Sequence, residues 1–146
     1  MTTSADRAVC TACGAVNRLP QDKPASEAKC GSCGALLFSG EPADVSGDML
    51  QKQIARSSVP IVVDVWAPWC GPCRVMAPEY EKAAQATEPR ARFLKLNSDN
   101  AQELSARLGI RGIPTMLVYR DGKEIARTSG ARPARDIIGW VEQAIG

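Results

Sequence analysis

Histidine is absent from this chain of 146 residues. The commonest general base at neutral pH is therefore missing, and so is the commonest nitrogen ligand for zinc. Any metal must be held by thiolates or carboxylates, and any proton in transit must sit on Asp, Glu, Lys or a thiol. Long apolar runs are missing too: no stretch approaches the roughly 20 residues that span a bilayer, so no membrane partner is expected. The opening residues, MTTSADRAVC, carry neither a basic leader nor an apolar core, and no secretory signal is expected from them. A dominant charge is lacking as well. Eighteen basic residues against sixteen acidic ones leave +2, too weak a field to steer the chain towards nucleic acid or an anionic surface. Before Phe38 there is no aromatic residue, and Arg7, Arg18, Lys23 and Lys29 are offset by Asp6, Asp22 and Glu27. A nucleic-acid-reading front segment is thereby disfavoured.

What is present is globular: 45% hydrophobic and 23% charged residues, enough for one ordinary domain with a small appendage. The expected compartment is cytoplasmic and reducing, where paired cysteines point to metal or redox chemistry rather than to permanent staples.

Two pieces are expected, a metal-binding module over residues 1–40 and a larger domain over residues 41–146. The first is poor in long apolar residues, its strands should be brief, and it is too small to fold without a clamp. Residues 38–48, FSGEPADVSGD, read as a linker. Beyond it, Leu50 and Ile54 stand at helical spacing and VPIVVDVWA reads as a strand buried on both faces. Cys73, Met76, Ala77, Tyr80, Ala83 and Ala84 form a helical stripe, kinked at Pro78. ARFLKLNSD reads as a strand. Asn100 with Glu103 suggests a capping box for a short helix closed by Gly109. TMLVYRDGKEIART is a hairpin about Asp121-Gly122, and a last helix from about Pro133 places Ile137, Ile138, Val141, Ala144 and Ile145 on one face. The order implies an α/β fold, a central mixed sheet with helices on both faces.

Cys70-Gly71-Pro72-Cys73 lies where the apolar strand gives way to the striped helix. At a helix start Cys70 sits among unsatisfied N–H groups at the positive end of the dipole, which favours the thiolate. Cys73, one turn on, is about 5–6 Å away, within the separation that a disulfide tolerates. Pro72 suits the first turn, and Gly71 leaves room for a partner. Such a pair performs thiol–disulfide exchange; an inert buried pair or half of a zinc site are the competing readings.

WCGPC after VDVWAP, with GIRGIPT some forty residues later, resembles the thioredoxin family over about residues 45–146. The resemblance implies a thioredoxin fold and protein-disulfide reductase activity, with re-reduction by an NADPH-dependent flavoprotein thioredoxin reductase. It also implies that Asp64 is the buried carboxylate that accepts the proton of Cys73 through water, with Lys95 beside it. Taken alone, the one would be a hydrogen-bonded Asp at a strand end and the other a surface lysine. Pro114 matches the family's cis-proline, and Ile113 should offer backbone hydrogen bonds to a substrate strand. Trp66, Trp69, Gly112, Gly130 and Ala131 match the apolar rim of the substrate groove, with Gly71 and Pro72 at its edge. Val65 stands where the family often has an aromatic residue, and Pro68 where an acid is frequent.

The remaining cysteines, Cys10-x-x-Cys13 and Cys30-x-x-Cys33 with sixteen residues between, match four-cysteine zinc spacing. Gly14 and Gly34 follow each pair and relieve the backbone. One structural Zn²⁺ is expected here; a second redox dithiol or an iron–sulfur cluster are the alternatives. Such a front module beside WCGPC resembles the thioredoxin 2 type. The reading is a monomeric disulfide reductase acting on protein substrates, with no organic cofactor. Its rival is a zinc-dependent, redox-regulated chaperone or binding module on a thioredoxin scaffold, and an oxidase or isomerase is a third possibility that Gly-Pro between the cysteines disfavours.

Overall fold

The structure, a computed structural model, describes residues 6–146. Two short strands open the chain, β1 (Arg7–Val9) and β2 (Val16–Arg18), paired antiparallel as a separate ribbon. There follow β3 (Ala43–Asp44), α1 (Gly47–Arg56), β4 (Ile61–Trp66), α2 (Gly71–Thr87), β5 (Arg92–Asn97), α3 (Gln102–Arg107), β6 (Thr115–Arg120), β7 (Lys123–Ser129) and α4 (Ala134–Ile145). The main sheet has the order β3-β5-β4-β6-β7. Strands β3, β5 and β4 run parallel, while β6 and β7 are antiparallel to their neighbours. This is the expected mixed sheet.

Strand alternation builds a core on each side of it. Ile61, Val63, Val65, Leu94, Leu96 and Leu117 face one layer with Leu50 of α1 and Leu104 of α3. Val62, Phe93, Met116 and Val118 face the other, where Tyr80 of α2 and Ile137 and Val141 of α4 pack. The uninterrupted apolar run of β4 follows from its central position between β5 and β6, which buries both of its faces. Asp64 is the exception, on the α2 side of that strand and 1% exposed.

The hairpin turns as its residues dictate: Asp121 and Gly122 both have positive φ, 52° and 81°, the primed turn that matches strand twist. Helix α2 continues through Pro78. Two expectations need correction. Residues 38–48 are not a free linker: Phe38 is buried in the core, Ala43–Asp44 form the edge strand β3 on β5, and Ser46 caps α1 by accepting from the Met49 N–H at 3.1 Å. Nor does Asn100 cap α3. It lies in a 3-10 turn, Ser98–Asn100, and the residue preceding α3 is Ala101, which supplies no side-chain cap.

The front segment is packed, not tethered. Ala8, Leu19, Leu37 and Phe38 join the same core as Leu50, Val59 and Leu94. Val9 is held at both backbone groups: its N–H donates to Ser57 Oγ at 3.2 Å, and its carbonyl accepts from Gln53 Nε2 at 2.9 Å and Arg92 Nη2 at 3.3 Å. Arg92 is almost wholly buried, with its guanidinium stacked 4.5 Å above the Phe38 ring.

Candidate active site and metal centre

Cys70 is the residue preceding α2, in extended backbone, and its sulfur accepts from the Cys73 N–H at 3.2 Å. It is joined to Cys73 by a disulfide, with the two Cα atoms 5.3 Å apart. Gly71 and Pro72 supply the first turn, where a missing N–H costs nothing. The pair is more sheltered than the sequence suggests, for Cys70 is 5% exposed and Cys73 2%. Ala67, Trp66 and Ile113 pack around them.

Across from the cysteines runs the loop before β6. The Ile113–Pro114 peptide is cis, and the Ile113 carbonyl oxygen lies 3.7 Å from Cys70 Sγ. Thr115 Oγ1 donates to the Gly112 carbonyl at 2.6 Å, and the Gly130 N–H donates to the Pro114 carbonyl at 2.9 Å. These bonds bring Gly112, Ile113, Pro114 and Gly130 to one edge, with Ala131 following. Gly112, Gly130 and Ala131 are exposed, Ile113 is half-buried and Pro114 is buried. On the near side Trp69 is 68% exposed, and its indole Nε1 donates to both carboxylate oxygens of Asp99 at 3.1 Å. Asp99 went unnoticed in the sequence because nothing local marks a partner thirty positions away.

Asp64 and Lys95 are register partners on the parallel strands β4 and β5, the first of which leads to the cysteines. Burial pushes the Asp64 carboxyl up to about 7, against the lowering influence of Lys95. One of its oxygens, Oδ1, meets no hydrogen-bond donor among the described residues. The Lys95 ammonium rests 4.4 Å above the Trp66 ring, a cation–π contact. A carboxyl poised near neutrality, buried within the sheet, can give up or hold a proton at working pH.

Cys10, Cys13, Cys30 and Cys33 converge, with all four sulfurs within 4.8 Å of one another. Two cross-pairs measure 3.7 and 3.6 Å. These are not bonded disulfides, and they match the edges of about 3.8 Å that a tetrahedron with Zn–S of about 2.3 Å requires. Two equivalent knuckles build the cluster. In each, the glycine N–H returns to the first cysteine's carbonyl (Gly14 to Cys10, 2.8 Å; Gly34 to Cys30, 2.9 Å) at φ of 80° and 81°. A side chain at either glycine would be strained. The Asn17 amide donates to Cys30 Sγ at 3.4 Å, a bond that favours the thiolate there. The donor set thus suits a closed thiolate site for zinc.

The family model described as Thioredoxin matches residues 41–143. The chain belongs to the thioredoxin family. A second model, described as Thioredoxin 2, N-terminal, matches residues 9–35, the segment that carries the four-cysteine cluster. Thioredoxin C-3 of Corynebacterium nephridii is 36% identical over 137 residues, covering 94% of each chain. The M-type chloroplastic thioredoxin of Chlamydomonas reinhardtii is 37% identical over 109 residues, 75% of this chain and 78% of that one. Among solved structures, thioredoxin f from spinach chloroplast has a TM-score of 0.68 at 29% identity, covering 75% of this chain and 90% of its own. Chloroplastic thioredoxin z gives 0.66 at 33% identity, covering 71% and 94%. Thioredoxins are thiol–disulfide oxidoreductases, and this thioredoxin-family chain carries the Cys70–Cys73 disulfide.

Proposed function

We propose that this chain is a cytoplasmic protein-disulfide reductase that cycles through the Cys70/Cys73 dithiol and carries one structural zinc in its front segment. The observation that carries the reading is the disulfide at the start of α2, backed by a carboxyl raised to about 7.

In the reduced form, the Cys73 N–H and the positive end of α2 face the Cys70 sulfur and favour its thiolate. That thiolate attacks one sulfur of a client disulfide. The client S–S bond breaks, a mixed disulfide forms, and the released client thiolate takes up a proton. Asp64 accepts the proton of Cys73, whose thiolate then attacks Cys70 Sγ. The mixed S–S bond breaks, the second client thiolate leaves and takes up a proton, and the Cys70–Cys73 disulfide remains. Two electrons have passed to the client, and two client thiols result. Lys95 favours the ionised carboxylate, while Trp69, Ile113 and Gly130 frame the groove in which a client strand lies beside the sulfurs. An NADPH-dependent flavoprotein reductase restores the dithiol.

Cys10, Cys13, Cys30 and Cys33 would hold the zinc, which supplies a redox-inert cross-link. Cys70→Ser should abolish insulin-disulfide reduction, and Cys73→Ser should accumulate covalent client adducts that dithiothreitol releases. Normal turnover by Cys70→Ser would overturn the reading.

A further inference from the structure

The groove carries an arginine beside each of three of its segments. Arg74 follows Cys73, Arg111 precedes Gly112, and Arg132 follows Ala131. Arg74 and Arg111 are exposed, Arg132 is half-buried, and none of the three forms an ion pair among the described residues. Arg132 also borders a depression of about 330 Å³ between α2 and the start of α4, lined by Val75, Met76, Glu79, Ala131, Arg132 and Pro133. Its floor is apolar, and Val75 lies open there at 70% exposure, two residues past Cys73.

The acid in this depression is already engaged. Glu79 Oε1 accepts from the Ala134 N–H at 2.9 Å, at the start of α4, and Oε2 accepts from Lys82 at 3.2 Å. Asp99, on the other side of the groove, is held by Trp69. Arg132 spends Nη2 on the neutral hydroxyl of Thr128 at 2.5 Å, and its buried Nε meets no acceptor among the described residues. Of the two charged side chains that line the depression, Glu79 is paired with Lys82 and Arg132 has no charged partner among the described residues.

We propose that this depression is a client subsite continuing the groove: the apolar floor takes a side chain flanking the attacked cysteine, and Arg132 reads a client carboxylate next to it. The inference rests on the reductase reading and names its preferred substrates, segments with Asp or Glu beside the disulfide. Arg74 and Arg111 add to the same attraction, with Arg132 supplying the fixed contact because Thr128 holds its guanidinium in place.

The test uses three oxidised peptides that differ only at one flanking position, Glu, Gln or Lys, with kcat/KM measured for the full chain and for Arg132→Gln. The native chain should prefer Glu to Lys by about tenfold at low salt, and the preference should shrink as ionic strength rises. Arg132→Gln should lower the rate on the Glu peptide about threefold relative to the Gln peptide, the worth of one exposed charge pair. Equal rates on the three peptides, or an undiminished Glu preference in Arg132→Gln, would overturn the subsite. Failure of the native chain to reduce even the Gln peptide would overturn the reductase reading and the subsite with it.

Discussion

A carboxyl that ionises near pH 7 inside a sheet is a cost to the fold, and its sign can be worked out. The Asp64 carboxyl has an ordinary value of 3.8 and is raised by burial to about 7. Below pH 4 both folded and unfolded chains hold the proton, and the residue is neutral for stability. Between those two values the unfolded chain releases it and the folded chain keeps it, so stability falls as pH rises. Above pH 7 the full penalty applies, about 4 kcal/mol by the size of the rise. Asp64→Asn should therefore be no more stable than the native chain at pH 4 and more stable by a few kcal/mol at pH 8, read from urea unfolding at the two values. The same variant should slow client release about tenfold or more, having lost the acceptor for the Cys73 proton. A stability gain independent of pH would show that the cost at this position does not come from ionisation between the two values.

At the scale of elements, what could be read from the sequence were those whose cause is local. The hairpin follows from two residues able to take positive φ, the β4 run from its burial on both faces, and the cysteine pair from its place at the start of α2. Residues 38–48 misled because Gly, Pro and Ser report turns, and a two-residue edge strand leaves no periodicity to see. The Asn100 cap failed because the chain makes a 3-10 turn first. Contacts between distant segments left no trace, as with Trp69 and Asp99. The docking of β1 is another such case. Gln53 of α1 donates to the Val9 carbonyl and accepts from Ser57 Oγ at 3.3 Å, while Ser57 accepts from the Val9 N–H. Gln53 is wholly buried, so Gln53→Leu removes a donor and leaves a serine hydroxyl without its acceptor. The expected loss is about 1–3 kcal/mol, seen as a lower urea midpoint. An unchanged midpoint would mean that apolar contact alone carries the docking.

On the scale of the whole molecule, the redox pair and the docking of β1 stand at opposite ends of β4. Cys70 follows the C-terminal end of β4. The front segment is held where those strands begin: Ser57 and Ser58 come just before β4, and Arg92 opens β5. A six-residue strand spans about 20 Å, which separates the front segment's docking from the redox pair. The link between them is a shared core, since Leu37 and Phe38 pack with Leu50, Val63 and Leu94. Loss of the metal should therefore act on stability first. Four thiolates so close cannot all stay ionised without a cation between them, and the knuckles that depend on them would open. Stripping the metal with a chelator under reducing conditions, or making Cys10→Ser with Cys33→Ser, should lower the melting temperature by about 5 °C or more. Insulin-disulfide reduction below that temperature should stay within about twofold of the native rate, because RT converts smaller changes in barrier into no more than that. A rate that collapsed while the fold persisted would mean that the front segment reaches the redox pair through the shared core, and would make the metal part of the activity rather than of the scaffold.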